Sequence, residues 1–509
     1  MFARLLSAAV VGIEARLIEV QCDVTGGLPG FHIVGLPEKE VIESRERVRS
    51  AIKNSGFSFP AERITANLAP ADLKKEGVGF DLPTAVGILA ASGQLTTPER
   101  KTVLVGELAL DGVVQGVRGA LPVTLAAREA GIDAVVVPQR NASEAALVEE
   151  VDVFAVGSLK EAVAFLRGDR ALAPATVDRQ TWRTRRPDCL AFDLADVKGQ
   201  QQARRALEVA AAGGHNLLLV GPPGAGKSLL ARCLPTILPP VTDQEALDVT
   251  RIYSAAGLLD DAVPLACWRP FRAPHHTISY AGMVGGGHGV PGPGEITLAH
   301  HGILFLDELP EFDRRVLDTL RQPLEERSIL LSRAGTSIRY PCDFTLVAAM
   351  NPCPCGYLGD GRRECQCSAQ QIRRYRRRVS GPFLDRMDLA VEVPRLGRSE
   401  LTGRAAGEPS AVVLVRVERA RRIQWQRSAG HSGGVCNARL GNRQLVEQCA
   451  LDREACRLLE LAVDRYVLSA RAYDRVLKVA RTIADLEACS AVQAQHVAEA
   501  LQYRVAAER

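Results

Sequence analysis

Hydrophobic and polar positions change period along the chain, and the changes mark out four stretches. From residue 1 to about 168, short apolar or alternating runs predict strands near 15–24, 31–35, 62–68, 103–108 and 134–137. Helical spacing between them predicts helices near 37–54, 82–93, 119–130, 141–149 and 158–167. The opening apolar stretch, Met1 to Ile13, is short and runs straight into the alternating Leu17–Val24 segment. It reads as a first strand and not as a targeting segment. Residues 169–188 are rich in Ala, Pro and Arg, show no apolar period, and read as a linker.

Beyond the linker, a helical run at Gln202–Ala212 precedes Asn216-Leu-Leu-Leu-Val220. This run, Gly302-Ile-Leu-Phe-Leu306 and Phe344-Thr-Leu-Val-Ala-Ala349 are unbroken apolar segments, the pattern of strands buried on both faces of a parallel sheet. Ile329–Tyr340 reads as a hairpin turning at Ala334-Gly335. From about 396 the strand signals stop, and helical patterns at 410–427, 441–449, 452–466, 470–489 and 492–507 predict a helical lid. The expected class is α/β: a first α/β domain at 1–168, the linker at 169–188, a second α/β core at 189–395, and the lid at 396–509.

Composition narrows the class without identifying a function. Hydrophobic residues make up 47% and charged residues 24%, ordinary for a soluble protein. No apolar run approaches the ~20 residues of a membrane span. A net charge of +4 is too small to imply nucleic acid by itself, so local clusters must carry that argument. Thirteen cysteines without secretory features point to a reducing, cytoplasmic setting, with metal or core roles ahead of disulfides.

The candidate chemistry begins where the first of the three apolar strands ends. Gly221, Pro222, Pro223, Gly224, Ala225, Gly226, Lys227 and Ser228 spell G-x-x-x-x-G-K-S between a buried strand and a helix start. Glycines let backbone N–H groups close around phosphates, Lys227 can reach the β- and γ-phosphates of ATP, and the Ser228 hydroxyl can bind Mg²⁺. The second strand ends in Asp307-Glu308, a carboxylate for the Mg²⁺ shell followed by one placed to polarise water. The third ends at Asn351, whose amide can orient that water or touch the γ-phosphate. Strands ending this way put the chemistry at one sheet edge, and they imply ATP hydrolysis.

Cys353-Pro-Cys355 and Cys365-Gln-Cys367 lie in a polar insertion, where four thiolates suit tetrahedral Zn²⁺. Incidental cysteines are the alternative, since C-x-C is less typical of zinc than C-x-x-C. His275, His276, His300 and His301 read as structural rather than metal-ligating, for want of matching partners at ligand spacing. An arginine run follows, with Arg373 and Arg374 before Tyr375 and Arg376 to Arg378 after it, suited to a phosphate backbone and a stacked base. A solvated face or a subunit contact would produce the same run.

Pro70-Ala-Asp-Leu-Lys-Lys-Glu-Gly-Val-Gly-Phe-Asp-Leu-Pro-Thr-Ala85, Val105–Gly112, Arg118–Pro122 and Val135–Pro138 resemble the proteolytic domain of Lon-type proteases, a ribosomal S5 domain 2-like fold. That family uses a Ser–Lys dyad. Here Thr84 stands at the serine position, and the segment matching the lysine motif, Arg118–Ala127, has no lysine. The resemblance therefore implies a fold kept for binding or assembly.

Phe271-Arg-Ala-Pro-His-His-Thr-Ile-Ser279, Pro293–Gly302, Asn351-Pro-Cys-Pro-Cys-Gly356 and Arg471–Arg481 resemble the magnesium-chelatase branch of the AAA+ ATPases. With the first domain included, the whole chain resembles ComM/YifB-type proteins. That resemblance implies a ring-forming, homohexameric DNA helicase that drives branch migration during natural transformation. Matching the family segments nominates Arg386 as an arginine finger delivered to a neighbouring subunit and Arg471 as a sensor that contacts nucleotide phosphates. On local sequence alone, Arg386 pairing with Asp385 or Asp388 is the plain alternative. By analogy, the insertion at 264–294 and the hairpin with Arg333 and Arg339 line a central pore that contacts single-stranded or branched DNA. The competing readings are a motor that inserts magnesium into a porphyrin, or an ATPase remodelling another protein. The broken dyad weighs against coupled proteolysis, and the Asp307-Glu308 pair weighs against an inactive ATPase.

Overall fold

The computed structural model describes residues 1–96, 100–178, 191–259, 263, 265–287, 290–333, 336–398, 400, 407–428 and 435–508. The first region is built on a seven-stranded mixed sheet. Its order is Gly30–Val34, Arg63–Ala69, Glu14–Thr25, Phe2–Val11, Val103–Leu104, Ala134–Pro138 and Asp152–Val156. The opening stretch is indeed a strand, pairing antiparallel with Glu14–Thr25 from Phe2↔Asp23 to Val11↔Glu14. Alternating inward residues such as Ile18, Val20 and Cys22 are fully buried, which fixes the register. Helices Lys39–Asn54, Asp81–Ala91 and Leu159–Arg167 share one core with the sheet, and Ala120–Glu129 covers another.

Some expectations in this region need correction. The strand Asp152–Val156 was not anticipated, because the isolated apolar run Val153–Val156 carries little periodic signal. The expected strand at 103–108 is interrupted: Gly106 donates to the Gly79 carbonyl, and a Cβ there would meet Val114 Cγ1 at 2.8 Å. The expected helix at 141–149 shortens to Ala142–Ala145 after a 3-10 turn. Part of the expected linker also packs as structure, since the Ala175 N–H donates to the Val153 carbonyl and Leu172 joins the core. The stretch 179–190 lies outside the described residues.

The second region is a five-stranded sheet, ordered Phe271–Arg272, Ile303–Leu306, Thr345–Met350, Leu217–Val220 and Leu389–Glu392. Every pairing is parallel, as the unbroken apolar runs require. The hairpin forms as Ser328–Arg333 paired with Thr336–Pro341, its turn lying outside the described residues. Helices Ser410–Arg427, Asn442–Gln448, Arg453–Tyr466, Ala470–Leu486 and Ala494–Glu508 make up a helical C-terminal region, where the lid was expected. Arg421 and Gln424 donate to the Ala211 and Ala212 carbonyls, fastening that region to the helix that leads into the Leu217 strand.

The two sheets belong to one packed body. The Gly119 N–H donates to the Ser254 carbonyl at 3.1 Å, and the Val290 N–H donates to Glu76 Oε1 at 2.7 Å. The hairpin also leans on the first region: a Cβ added to Gly12 would lie 2.6 Å from Ile338 Cγ2. Tyr340 is buried there and donates to the Pro291 carbonyl.

Candidate active site

The carboxyl edge of the parallel sheet collects polar residues because each apolar run stops there. Val220 sits opposite Met350 and Leu306 opposite Ala348, so Gly221, Asp307 and Asn351 emerge side by side. Gly221 has no room for a side chain, since a Cβ would lie 2.1 Å from the Val393 carbonyl oxygen. Gly224 and Gly226 take φ of +77° and +93°, and a Cβ on either would find open space. The loop therefore turns backbone N–H groups around an open cradle, which fits a polyphosphate.

Lys227 is buried, and its three ammonium protons are all used. It donates to the carbonyls of Gly221 and Pro222 at 2.6 and 3.0 Å and to Asn351 Oδ1 at 3.0 Å. Burial lowers its pKa below the ordinary lysine value, with Asp307 and Glu308 opposing that shift. The Ser228 hydroxyl donates to Asp307 Oδ2 at 2.6 Å, and the other Asp307 oxygen accepts from the Glu308 N–H at 2.9 Å. Hydroxyl and carboxylate together make an oxygen donor set suited to Mg²⁺. The sequence also missed Gln200, whose side chain ties the loop at Ala225 to Pro394.

Glu308 departs from a simple strand end. Its backbone is left-handed at φ 53°, turning the chain into the 3-10 turn Leu309–Glu311 and leaving its carboxylate largely exposed. Left-handed backbone is uncommon for a non-glycine residue, and here it sets the direction in which the carboxylate leaves the strand. Its Oε2 lies 3.2 Å from His276 Nδ1, and the His276 ring meets His275 at 4.1 Å and the edge of Phe312 at 6.4 Å. Sequence reasoning treated His276 as structural, and no signal along the chain pairs it with Glu308.

The four cysteines converge. All four Sγ atoms of Cys353, Cys355, Cys365 and Cys367 lie within 4.8 Å of one another. Three separations are 3.4, 3.6 and 3.6 Å, close to the ~3.8 Å of thiolates arranged tetrahedrally around zinc. The donor set fits Zn²⁺. The knuckle also touches the nucleotide site: a Cβ on Gly356 would lie 2.6 Å from Pro223 and 3.7 Å from the Asn351 side chain. Glu487, Cys489 and His496 also cluster. There His496 Nδ1 accepts from the Gln493 N–H, so the proton sits on Nε2 and points at Glu487; the group caps a helix. His300 is buried, its pKa pushed down to about 3 by burial and by His301, and it accepts from the Asp343 N–H. His301 lies 3.7 Å from Glu245.

Arg386 and Arg471 come together, but away from Lys227. Both line a polar cleft of about 380 Å³ with Asn216 and Asp388. Those residues precede their strands, so the cleft opens at the amino edge of the sheet, opposite the phosphate loop. Arg386 does not pair with Asp385 or Asp388. It donates to Glu325 Oε1 at 2.6 Å and to the Pro382 carbonyl, and is largely buried. Asp388 instead accepts from the Asn216 N–H. Arg471 stands exposed on the first turn of Ala470–Leu486.

Arg373 and Arg374 are exposed on the helix Ala369–Arg376. Tyr375 is not available to stack a base: it is buried, and burial pushes its pKa up to about 12. Arg339 is exposed on the hairpin, and Arg333 ends the hairpin's first strand.

Comparison with known proteins places this geometry among relatives. Residues 193–401 match the family described as magnesium chelatase, subunit ChlI, residues 20–141 match subunit ChlI of Mg-chelatase, and residues 407–504 match its C-terminal family. Competence protein ComM of Haemophilus influenzae is 47% identical, over 98% of this chain and 96% of its own length. YifB of Salmonella typhimurium is 48% identical, over 97% and 96%. Lon protease 2 of Bacillus subtilis is 27% identical over 31% of this chain and 32% of its own length.

Proposed function

The chain belongs to the ComM/YifB family of magnesium-chelatase-like AAA+ ATPases, and on that premise we propose that it is an ATP-driven, ring-forming DNA translocase that promotes branch migration when incoming DNA recombines. The observation that carries this reading is the convergence of Lys227, Ser228, Asp307, Glu308 and Asn351 at one sheet edge. Lys227 and the loop N–H groups bind the phosphates, and Asn351 holds Lys227 in place. Ser228 and Asp307 hold Mg²⁺, which screens the charge that develops on the phosphates. Glu308 accepts a proton from the attacking water once it turns from His276 toward the cradle.

Arg386 and Arg471 act on a neighbour. Their cleft lies at the opposite sheet edge, so their targets are the phosphates in the adjacent subunit of a closed homohexamer. Glu325 holds Arg386 until that neighbour docks. The cysteine knuckle holds Zn²⁺ and braces Pro223 and Asn351. Exposed arginines, Arg339 on the hairpin and Arg373 and Arg374 beyond the knuckle, supply DNA contacts, and Arg333 belongs to the same hairpin. No described helix is long and apolar enough to cross a membrane.

The test is ATP turnover with no DNA, single-stranded DNA and forked DNA, alongside strand displacement from a three-stranded junction. Turnover that rises with DNA, with ATP-dependent displacement lost in Lys227→Ala, is the expected result. Robust turnover indifferent to every DNA, with no displacement, would refute the DNA assignment while leaving the ATPase intact.

A further inference from the structure

We propose that a groove beside the Glu308 turn, lined by Arg314, Arg373, Arg374, Arg377 and Arg378, binds a nucleic-acid phosphate backbone and couples that binding to the catalytic carboxylate. The inference deepens the DNA reading above and rests on it.

The groove has a volume of about 840 Å³ and is walled by Pro310, Glu311 and Phe312 on one side. Arg373 and Arg377 lie one helical turn apart, as do Arg374 and Arg378. Like charges at that spacing repel, so the arrangement works against its own helix. Favourable contact with the helix carboxyl end would account for one or two of these cations. It does not account for Arg314, which reaches the same groove from another helix. Among the described residues no carboxylate lies within ion-pairing distance of Arg373, Arg374 or Arg377, and the Glu311 carboxylate is already taken by Arg378 at 2.6 Å. Arginine is common in protein–protein contacts too, but the fully buried core of such a contact is depleted of charge, and these guanidinium groups are gathered in one groove. A groove whose cations come from five arginines on two helical segments matches the strongly basic surfaces that hold phosphodiesters.

The same groove touches the hydrolytic machinery by two short routes. Arg378 also donates to the Pro310 carbonyl at 3.3 Å, and the Glu311 N–H donates to the Glu308 carbonyl at 2.8 Å. Phe312 meets the ring of His276, which holds Glu308 Oε2. Phosphates entering the groove compete with Glu311 for Arg378. Releasing Glu311 loosens the turn that sets the direction of Glu308, so hydrolysis responds to DNA.

The experiment uses the full chain, a labelled single-stranded oligonucleotide, a salt series and ATP turnover with and without that oligonucleotide. For Arg373→Ala/Arg374→Ala/Arg377→Ala, the slope of log affinity against log salt should become shallower by about 2, three contacts' worth on a single strand. The DNA-induced rise in turnover should fall with it. Lysines at the same three positions keep the charge and should keep the slope, which separates lost contacts from lost folding. Glu311→Gln should still bind DNA but show a changed ratio of stimulated to basal turnover. An unaltered slope and stimulation in the triple alanine variant would overturn the groove assignment. So would loss of ring assembly with the slope retained, which would give the groove to a neighbouring subunit. An unchanged ratio in Glu311→Gln would overturn the coupling. Failure of the wild-type chain to bind DNA at all would instead refute the DNA reading itself.

Discussion

In the first sheet region Asp81, Lys75 and Thr84 are turned into the protein, whereas in the second Asp307, Glu308 and Asn351 are turned out to an edge. Asp81 is 1% exposed and gripped by Arg47 at 2.7 and 3.2 Å and by the Leu108 N–H. Lys75 is buried and spent on the Pro70 carbonyl, and Thr84 lies within the buried helix Asp81–Ala91. These three groups are buried and held within the first region, and no base stands beside the Thr84 hydroxyl among the residues described. The second brings Lys227, Ser228 and Asp307 together around a glycine loop with open space beside it. Burial with full partnership marks structure, and convergence on an accessible cradle marks chemistry.

Substitutions in the two regions should therefore have unlike consequences. The largest effect is expected from Glu308→Gln, which keeps the Asp307 carboxylate proposed to hold Mg²⁺ but removes the proposed base. Steady-state turnover should drop ~10²–10⁴-fold, while nucleotide binding measured by fluorescence titration stays near wild type. Next comes the cysteine knuckle. Cys353→Ser, or strong chelation, should release about one zinc per chain and weaken nucleotide binding, because Gly356 packs on Pro223 and Asn351. Metal analysis of purified protein checks the first part, and nucleotide titration the second.

Arg47→Ala should cost about 3–5 kcal/mol by stranding a buried carboxylate, with turnover per folded chain unaffected. Asp81 adds a pH signature. Burial raises its pKa from 3.8 to about 6 despite the attraction of Arg47, whose own pKa the contact raises. The folded state then holds the proton more tightly than the unfolded one, so this group's contribution to stability falls as pH rises from about 4 through 6. Removing Arg47 should steepen that fall, so thermal melts of Arg47→Ala should lose more at pH 8 than at pH 5. The smallest effect is expected from Thr84→Val. Turnover and any DNA response should remain within about twofold, since a lone hydroxyl without a base contributes no nucleophile.

What could be read from the sequence was what neighbours in the chain decide. Gly221 to Ser228, the Asp307-Glu308 strand end and the hairpin are local patterns, and each appears where its run of residues placed it. The helix Ser410–Arg427 matched its expected limits because its period is long and uninterrupted. The partners of those residues were not legible. His276 reaches Glu308, and Glu325 captures Arg386, across distances along the chain that no period encodes. Tyr375 misled for the same reason: it sits among arginines in sequence, but the helix turns it inward against the Val379 and Phe383 core. Only the packed sheet decides that Arg471 joins Arg386 instead of its own phosphate loop.

That opposition of edges is the central claim, and mixed rings test it most directly. Arg386→Ala alone should turn over ATP about 10³-fold more slowly while binding nucleotide, the scale of a lost arginine finger. Lys227→Ala alone should be inactive through its own phosphate loop. Mixing the two supplies interfaces that pair an intact loop with an intact finger, so the account predicts turnover in the mixture well above the sum of the separate variants. Mixed rings, verified by co-purification of differently tagged subunits, that show no recovery across all mixing ratios would contradict a site completed between subunits. Wild-type turnover by Arg386→Ala alone would contradict the finger itself.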